Sequence, residues 1–85
     1  MANKEDGMKK YKAVFKKIFP NVAEEDYMEM KVGDPMEWDS LHQIQLISEI
    51  EHAFVIRLNG EDVPRLRSFQ EGVALLRDRY GIAIA

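Results

Sequence analysis

Asp39-Ser-Leu-His-Gln-Ile-Gln-Leu-Ile-Ser-Glu-Ile-Glu-His-Ala-Phe54 has the spacing of one amphipathic helix. Leu41, Ile44, Ile47, Ile50 and Phe54 recur at helical intervals, and Leu46 and Ala53 widen the stripe. Asp39 is a good N-cap residue, so this helix, helix II, is expected over about residues 40–55. Its wet positions read His42, Gln43, Gln45, Ser48, Glu49 and His52.

Upstream, residues 20–38 lose the period. Gly33, Asp34 and Pro35 punctuate them, and Val22, Tyr27, Met28, Met30, Val32 and Met36 read as scattered anchors of a long, partly packed loop. A helical turn around Ala23 to Tyr27 is compatible with this pattern. Before the loop, Tyr11, Val14, Phe15, Ile18 and Phe19 form the stripe of helix I, expected over about 5–19 and stopped by Pro20. Downstream, Asn59-Gly60 has the form of a hairpin turn, but Pro64 argues against a strand, so a short helix III near 60–65 capped by Asn59 is expected. Ser68-Phe-Gln-Glu71 is a capping-box pattern opening helix IV over about 69–80, with Phe69, Val73, Leu76 and Tyr80 inward and Gly81 as its stop. The expected fold is all-α: one domain over residues 1–85, a small four-helix bundle of three main helices and one short one, with a long loop between the first two.

At this size the folded chain buries only about 60% of its unfolded surface. With no cysteine, packing alone must stabilise it. MANKEDGMKK contains no apolar run resembling a signal peptide, and no segment approaches membrane-spanning length, so a cytoplasmic protein without membrane insertion is expected. Charge is sorted along the chain. Residues 1–19 balance to +4, residues 20–55 to −8 and residues 56–85 to +1. The acidic middle would repel phosphates, which argues against a nucleic-acid partner and for a basic protein.

Ser40 and His42 do not read as a nucleophile and base, because positions two apart on a helix face different ways. Glu49-x-x-His52 is half of a di-iron ligand set without its second half, so His52 reads as a solvated helix residue. No enzyme active site is expected. What remains is Trp38-Asp39-Ser40-Leu41, where a long loop meets the strongest helix. A serine there sits beside free N–H groups and the positive end of the helix dipole, which favour a phosphate. The competing reading is an ordinary helix start with Ser40 as a capping residue.

The run DSLHQIQLISEIEHAF, then Leu58, NGEDVPRL and SFQEGVALL, resembles the acyl carrier protein family in register from helix II through helix IV, and helix I agrees in length and pattern. The resemblance implies that a phosphopantetheinyl transferase moves 4′-phosphopantetheine from coenzyme A onto Ser40 as a phosphodiester. Asp39 would help orient the serine and, in the transferase complex, the metal and cofactor. Leu41 and Ile44 would form an apolar contact beside the arm. The arm's thiol would hold acyl groups as thioesters, loaded by a ligase or transferase and passed to a synthase or acyltransferase. The expected partner surface comprises Asp34, Glu37, Trp38, His42, Ile44, Gln45, Ser48 and Glu49, and a monomer is expected. A medium acyl chain is expected between helices II and III, lined by Leu46, Ile47, Ile50 and Leu66. Each buried methylene would gain about 0.8 kcal/mol, at most roughly 6 kcal/mol for eight carbons.

Helix II departs from the strongly acidic face of familiar fatty-acid carriers, and acids gather instead at Asp34, Glu37 and Asp39. This points to a specialised fatty-acid, polyketide or related pathway. A peptidyl carrier would present a glycine-rich approach that Glu37-Trp38-Asp39 lacks. The alternatives are a D-alanyl or other aminoacyl carrier, and a carrier-like helical interaction domain without the prosthetic group.

Overall fold

The computed structural model describes residues 3–85. Helix α1 (Lys4–Ile18) starts where the Asn3 side chain accepts the Asp6 backbone N–H at 2.8 Å. It stops at Phe19, whose N–H returns to the Phe15 carbonyl just before Pro20. Helix α2 (Ser40–Phe54) and helix α3 (Phe69–Tyr80) follow, each opened by a side-chain cap, Asp39 and Ser68 respectively. At Ser68 the hydroxyl accepts the Glu71 N–H at 2.9 Å. Among the described residues the reciprocal bond of a capping box is not made. Gly81 closes α3 at φ 64°, a left-handed geometry that costs glycine nothing.

The bundle is all-α, with α1 packed on α2 and α3 packed against two 3-10 helices, Glu24–Glu29 and Val63–Arg65. The first of these contains the helical turn compatible with Ala23 to Tyr27, and it shortens the structureless part of the loop. The second is smaller than the expected helix III. Asn59 serves it through its backbone carbonyl, which accepts the Asp62 and Val63 N–H groups, and the side-chain cap expected of Asn59 is not made. Pro64 explains the contraction, because it supplies no N–H and disfavours α geometry at Val63.

The core is aromatic at its centre. Phe15 of α1 meets Tyr11, Phe69 and Trp38 at centroid distances of 4.9, 4.9 and 5.5 Å, and Tyr27 at 6.0 Å. Tyr11 is fully buried and donates its hydroxyl to the Phe69 carbonyl at 2.8 Å, and burial raises its pKa. Gly72 of α3 lies under that ring: a Cβ there would collide with the Tyr11 hydroxyl and press on Leu66 Cδ1. Of the expected loop anchors, Tyr27 and Met30 are buried and Val22 is half-buried, whereas Met28, Val32 and Met36 are exposed.

The loop before α2 is tied to the segment before α3. Val32 N–H donates to the Arg67 carbonyl at 2.8 Å and Phe69 N–H to the Met30 carbonyl at 3.0 Å, while Gly33 N–H closes the loop on itself at the Trp38 carbonyl, 3.0 Å away. Although it has few regular elements, this loop delivers Asp39 and Ser40 to a fixed place.

Candidate functional site at the start of α2

Asp39, not Ser40, caps α2. Its Oδ1 accepts the His42 backbone N–H at 3.0 Å and lies 2.9 Å from His42 Nδ1. An ionised carboxylate only accepts, so Nδ1 is the donor. The His42 N–H, and then its ring, hold the Asp39 carboxyl below the usual carboxylate range. His42 is thereby turned away from service as a base for Ser40, and its ring stacks on Phe19 at 5.7 Å.

Ser40 is the first residue of the helix, is exposed, and its hydroxyl has no hydrogen-bond partner among the described residues. The backbone N–H groups of Ser40 and Leu41 likewise have no carbonyl partner there. A phosphate esterified to this hydroxyl would meet two free donors and the positive end of the α2 dipole. The residues present therefore fit a phosphodiester-linked group.

Leu41 and Ile44, expected on the buried stripe as well as beside an arm, are 60% and 68% exposed. They form an apolar shoulder within one turn of Ser40. Met36, in the preceding loop, is 85% exposed. The buried side of α2 runs instead through Leu46 and Ile50, with Gln43, Ile47, Ala53 and Phe54 half-buried beside them.

The expected partner residues separate into groups. Asp34 and Glu37 are exposed, as is the Asp39 cap. Ile44, Gln45, Ser48 and Glu49 line one open groove with Lys17 and Ile18 of α1, where Lys17 Nζ pairs with Glu49 Oε1 at 3.1 Å. Trp38 does not belong to any exposed surface. Its indole is fully buried against Phe15 and Phe19, because an aromatic of this size gains more from the core than from the loop surface.

Periodicity places Gln43 on the wet face, but it is half-buried, with its amide joining three parts of the chain. Oε1 accepts the Trp38 indole N–H at 2.6 Å, and Nε2 donates to the Leu66 carbonyl at 2.8 Å. The signal for it in the sequence is indirect: a buried tryptophan needs an acceptor for its N–H, and Gln43 is the amide one turn into the next helix.

Leu46, Ile50 and Leu66, expected to line an acyl chain, are fully buried in the core, with Ile47 half-buried. The main surface grooves are lined by other residues. His52 is exposed and donates from Nδ1 to the Ser48 carbonyl at 2.9 Å, in keeping with a solvated helix residue. No group of three or more His, Asp or Glu side chains is arranged to hold a metal ion among the described residues. Nor is any helix there long and apolar enough to cross a membrane.

No protein-family model, curated protein or solved structure matches the chain, and the resemblance rests on its own residues.

Proposed function

We propose that the chain is an acyl carrier protein in which Ser40 carries 4′-phosphopantetheine. One observation carries the reading. Asp39 performs the capping, and the hydroxyl of the exposed Ser40, like the N–H groups of Ser40 and Leu41, has no hydrogen-bond partner among the described residues. A serine kept at a helix start only for capping would have its hydroxyl engaged with a backbone N–H.

The Ser40 hydroxyl oxygen attacks the β-phosphorus of coenzyme A and the phosphoanhydride bond breaks. Adenosine 3′,5′-bisphosphate leaves, and the serine proton passes to a base of the transferase. The N–H groups of Ser40 and Leu41, unpaired among the described residues, would hold the phosphodiester, and Asp39 holds the turn that presents the hydroxyl. The group, once attached, supplies a thiol for thioester formation, which this cysteine-free chain does not have. Asp34, Glu37 and Asp39 form an acidic approach, and Leu41 and Ile44 an apolar shoulder, for partners with a basic rim around an apolar contact. Because acids gather in the loop before Ser40, while α2 carries only Glu49 and Glu51, the pathway is a specialised one.

The test is intact mass before and after incubation with coenzyme A and a promiscuous phosphopantetheinyl transferase. One phosphopantetheinyl group is expected on the parent chain and none on Ser40→Ala, with helicity unchanged. A folded, unmodified parent chain that gains no mass with several transferases would instead support an interaction domain.

A further inference from the structure

Ser40, Gln43 and Ile47 follow one another at three- and four-residue steps along one side of α2. A chain attached at Ser40 and directed into the seam between α2 and the Val63–Arg65 segment therefore meets Gln43 first. The Gln43 amide spans that seam. Its Nε2 donates to the Leu66 carbonyl at 2.8 Å and lies 3.5 Å from the Val63 carbonyl, and its Oε1 is held by the Trp38 indole at 2.6 Å. Behind it, Leu46, Ile50 and Leu66 are fully buried.

The far side of the segment is fastened as well. Buried Asp62 accepts the Tyr80 hydroxyl at 2.7 Å, and its Oδ1, which has no hydrogen bond of good angle, sits 2.7 Å from Arg79 Nε as an ion pair. Tyr80 Oη in turn accepts the Asn59 N–H at 2.8 Å. The segment is thus stapled to α2 at one side and to α3 at the other. An alkyl chain entering past Gln43 would separate its amide from the Leu66 carbonyl and leave amide, carbonyl and indole N–H facing methylenes, where none can be paired.

We infer that Gln43 is a specificity-determining residue that bars alkyl chains from the core, so that the cargo is a short or polar acyl group held outside, over Leu41 and Ile44. This rests on the carrier reading, and its test is made independent of any transferase. Ser40→Cys introduces the only thiol of the chain. It is coupled to a maleimide on a pantetheine-length amide spacer ending in an acetyl or an octanoyl group.

With Gln43 in place the two conjugates are expected to melt within about 2 °C of each other, and the methyl NMR shifts of Leu46, Ile50 and Leu66 to coincide. In Gln43→Leu the octanoyl conjugate is expected to melt at least about 4 °C above the acetyl one, with those methyl signals displaced. A rise in melting temperature and displaced methyl signals with Gln43 present would overturn the exclusion. Identical behaviour of Gln43→Leu and the parent would overturn the role of Gln43. If Gln43→Leu does not fold, Gln43→Met replaces it, and the pair with Gln43 intact decides the exclusion alone. The mass test of Ser40 reports separately on the carrier reading.

Discussion

At the residue scale, the start of α2 divides its labour between neighbours: Asp39 holds the turn and Ser40 is left free. Asp39→Asn keeps an oxygen that can cap but removes the charge that faces His42. Because the Asp39 pKa is lowered in the folded chain, its charge contributes stability above the ordinary carboxylate range, and that contribution is lost as pH falls through the lowered value. The parent chain is therefore expected to have a higher urea midpoint than Asp39→Asn at neutral pH, with the difference closing in acid. Equal midpoints at neutral pH would remove the electrostatic part of the cap. The same variant is expected to keep its helicity and to accept the arm more slowly. The Asp39-Ser40 junction is legible from residue types alone, since Asp is a preferred cap and the apolar period begins immediately after it. Gln43 and Trp38 are not: periodicity assigns Gln43 to the wet face, and only the three-dimensional meeting of the loop, α2 and Leu66 gives its amide two partners.

At the element scale, helix ends follow from short-range chemistry and were correspondingly readable: Pro20 stops α1, Ser68 opens α3 and Gly81 ends it. The end of α2 is different. Val55 closes it at φ 53°, ψ 51°, a left-handed conformation that costs an L-residue about 1–2 kcal/mol, more readily accepted by glycine than by a β-branched side chain. Nothing in packing compensates, since Val55 is 89% exposed. Val55→Gly is expected to stabilise the domain by about 1 kcal/mol and to raise the melting temperature by about 4–8 °C, measured by circular dichroism. A fall would mean that the flexibility gained by the unfolded glycine chain outweighs the relieved strain. Valine carries no mark of a helix stop, so the apolar period alone places the end of helix II at about residue 55. Helix III is shorter than the expected 60–65 for the opposite reason: Pro64 permits a helix start but not the hydrogen bonds of a full turn around it.

At the scale of the whole molecule, the loop, α1 and α3 are joined through rings. Phe15 alone touches Tyr11, Phe19, Tyr27, Trp38 and Phe69, residues drawn from α1, the first 3-10 helix, the loop and α3. The stripe of α1 identifies Phe15 as inward-facing, but not as the point where the elements converge, because convergence depends on the path of a loop that has no period. Sorted charge contributes little to this joining: Lys12–Glu24 at 3.6 Å and Lys17–Glu49 at 3.1 Å link the basic helix to acidic segments through side chains open to solvent. The stability of an 85-residue chain is about 4–13 kcal/mol by its length, and Phe→Ala in a core costs about 3–5 kcal/mol. Phe15→Ala also breaks several ring pairs worth about 0.5–1.5 kcal/mol each. It is therefore expected to bring the domain to the margin of folding, whereas Phe15→Leu, which keeps much of the volume but no ring, loses less. Trp38 is the only tryptophan and packs on Phe15, so its fluorescence during urea denaturation follows the transition directly. A loss for Phe15→Ala no larger than the roughly 0.5 kcal/mol of an ordinary surface change would show that the elements hold together without this hub.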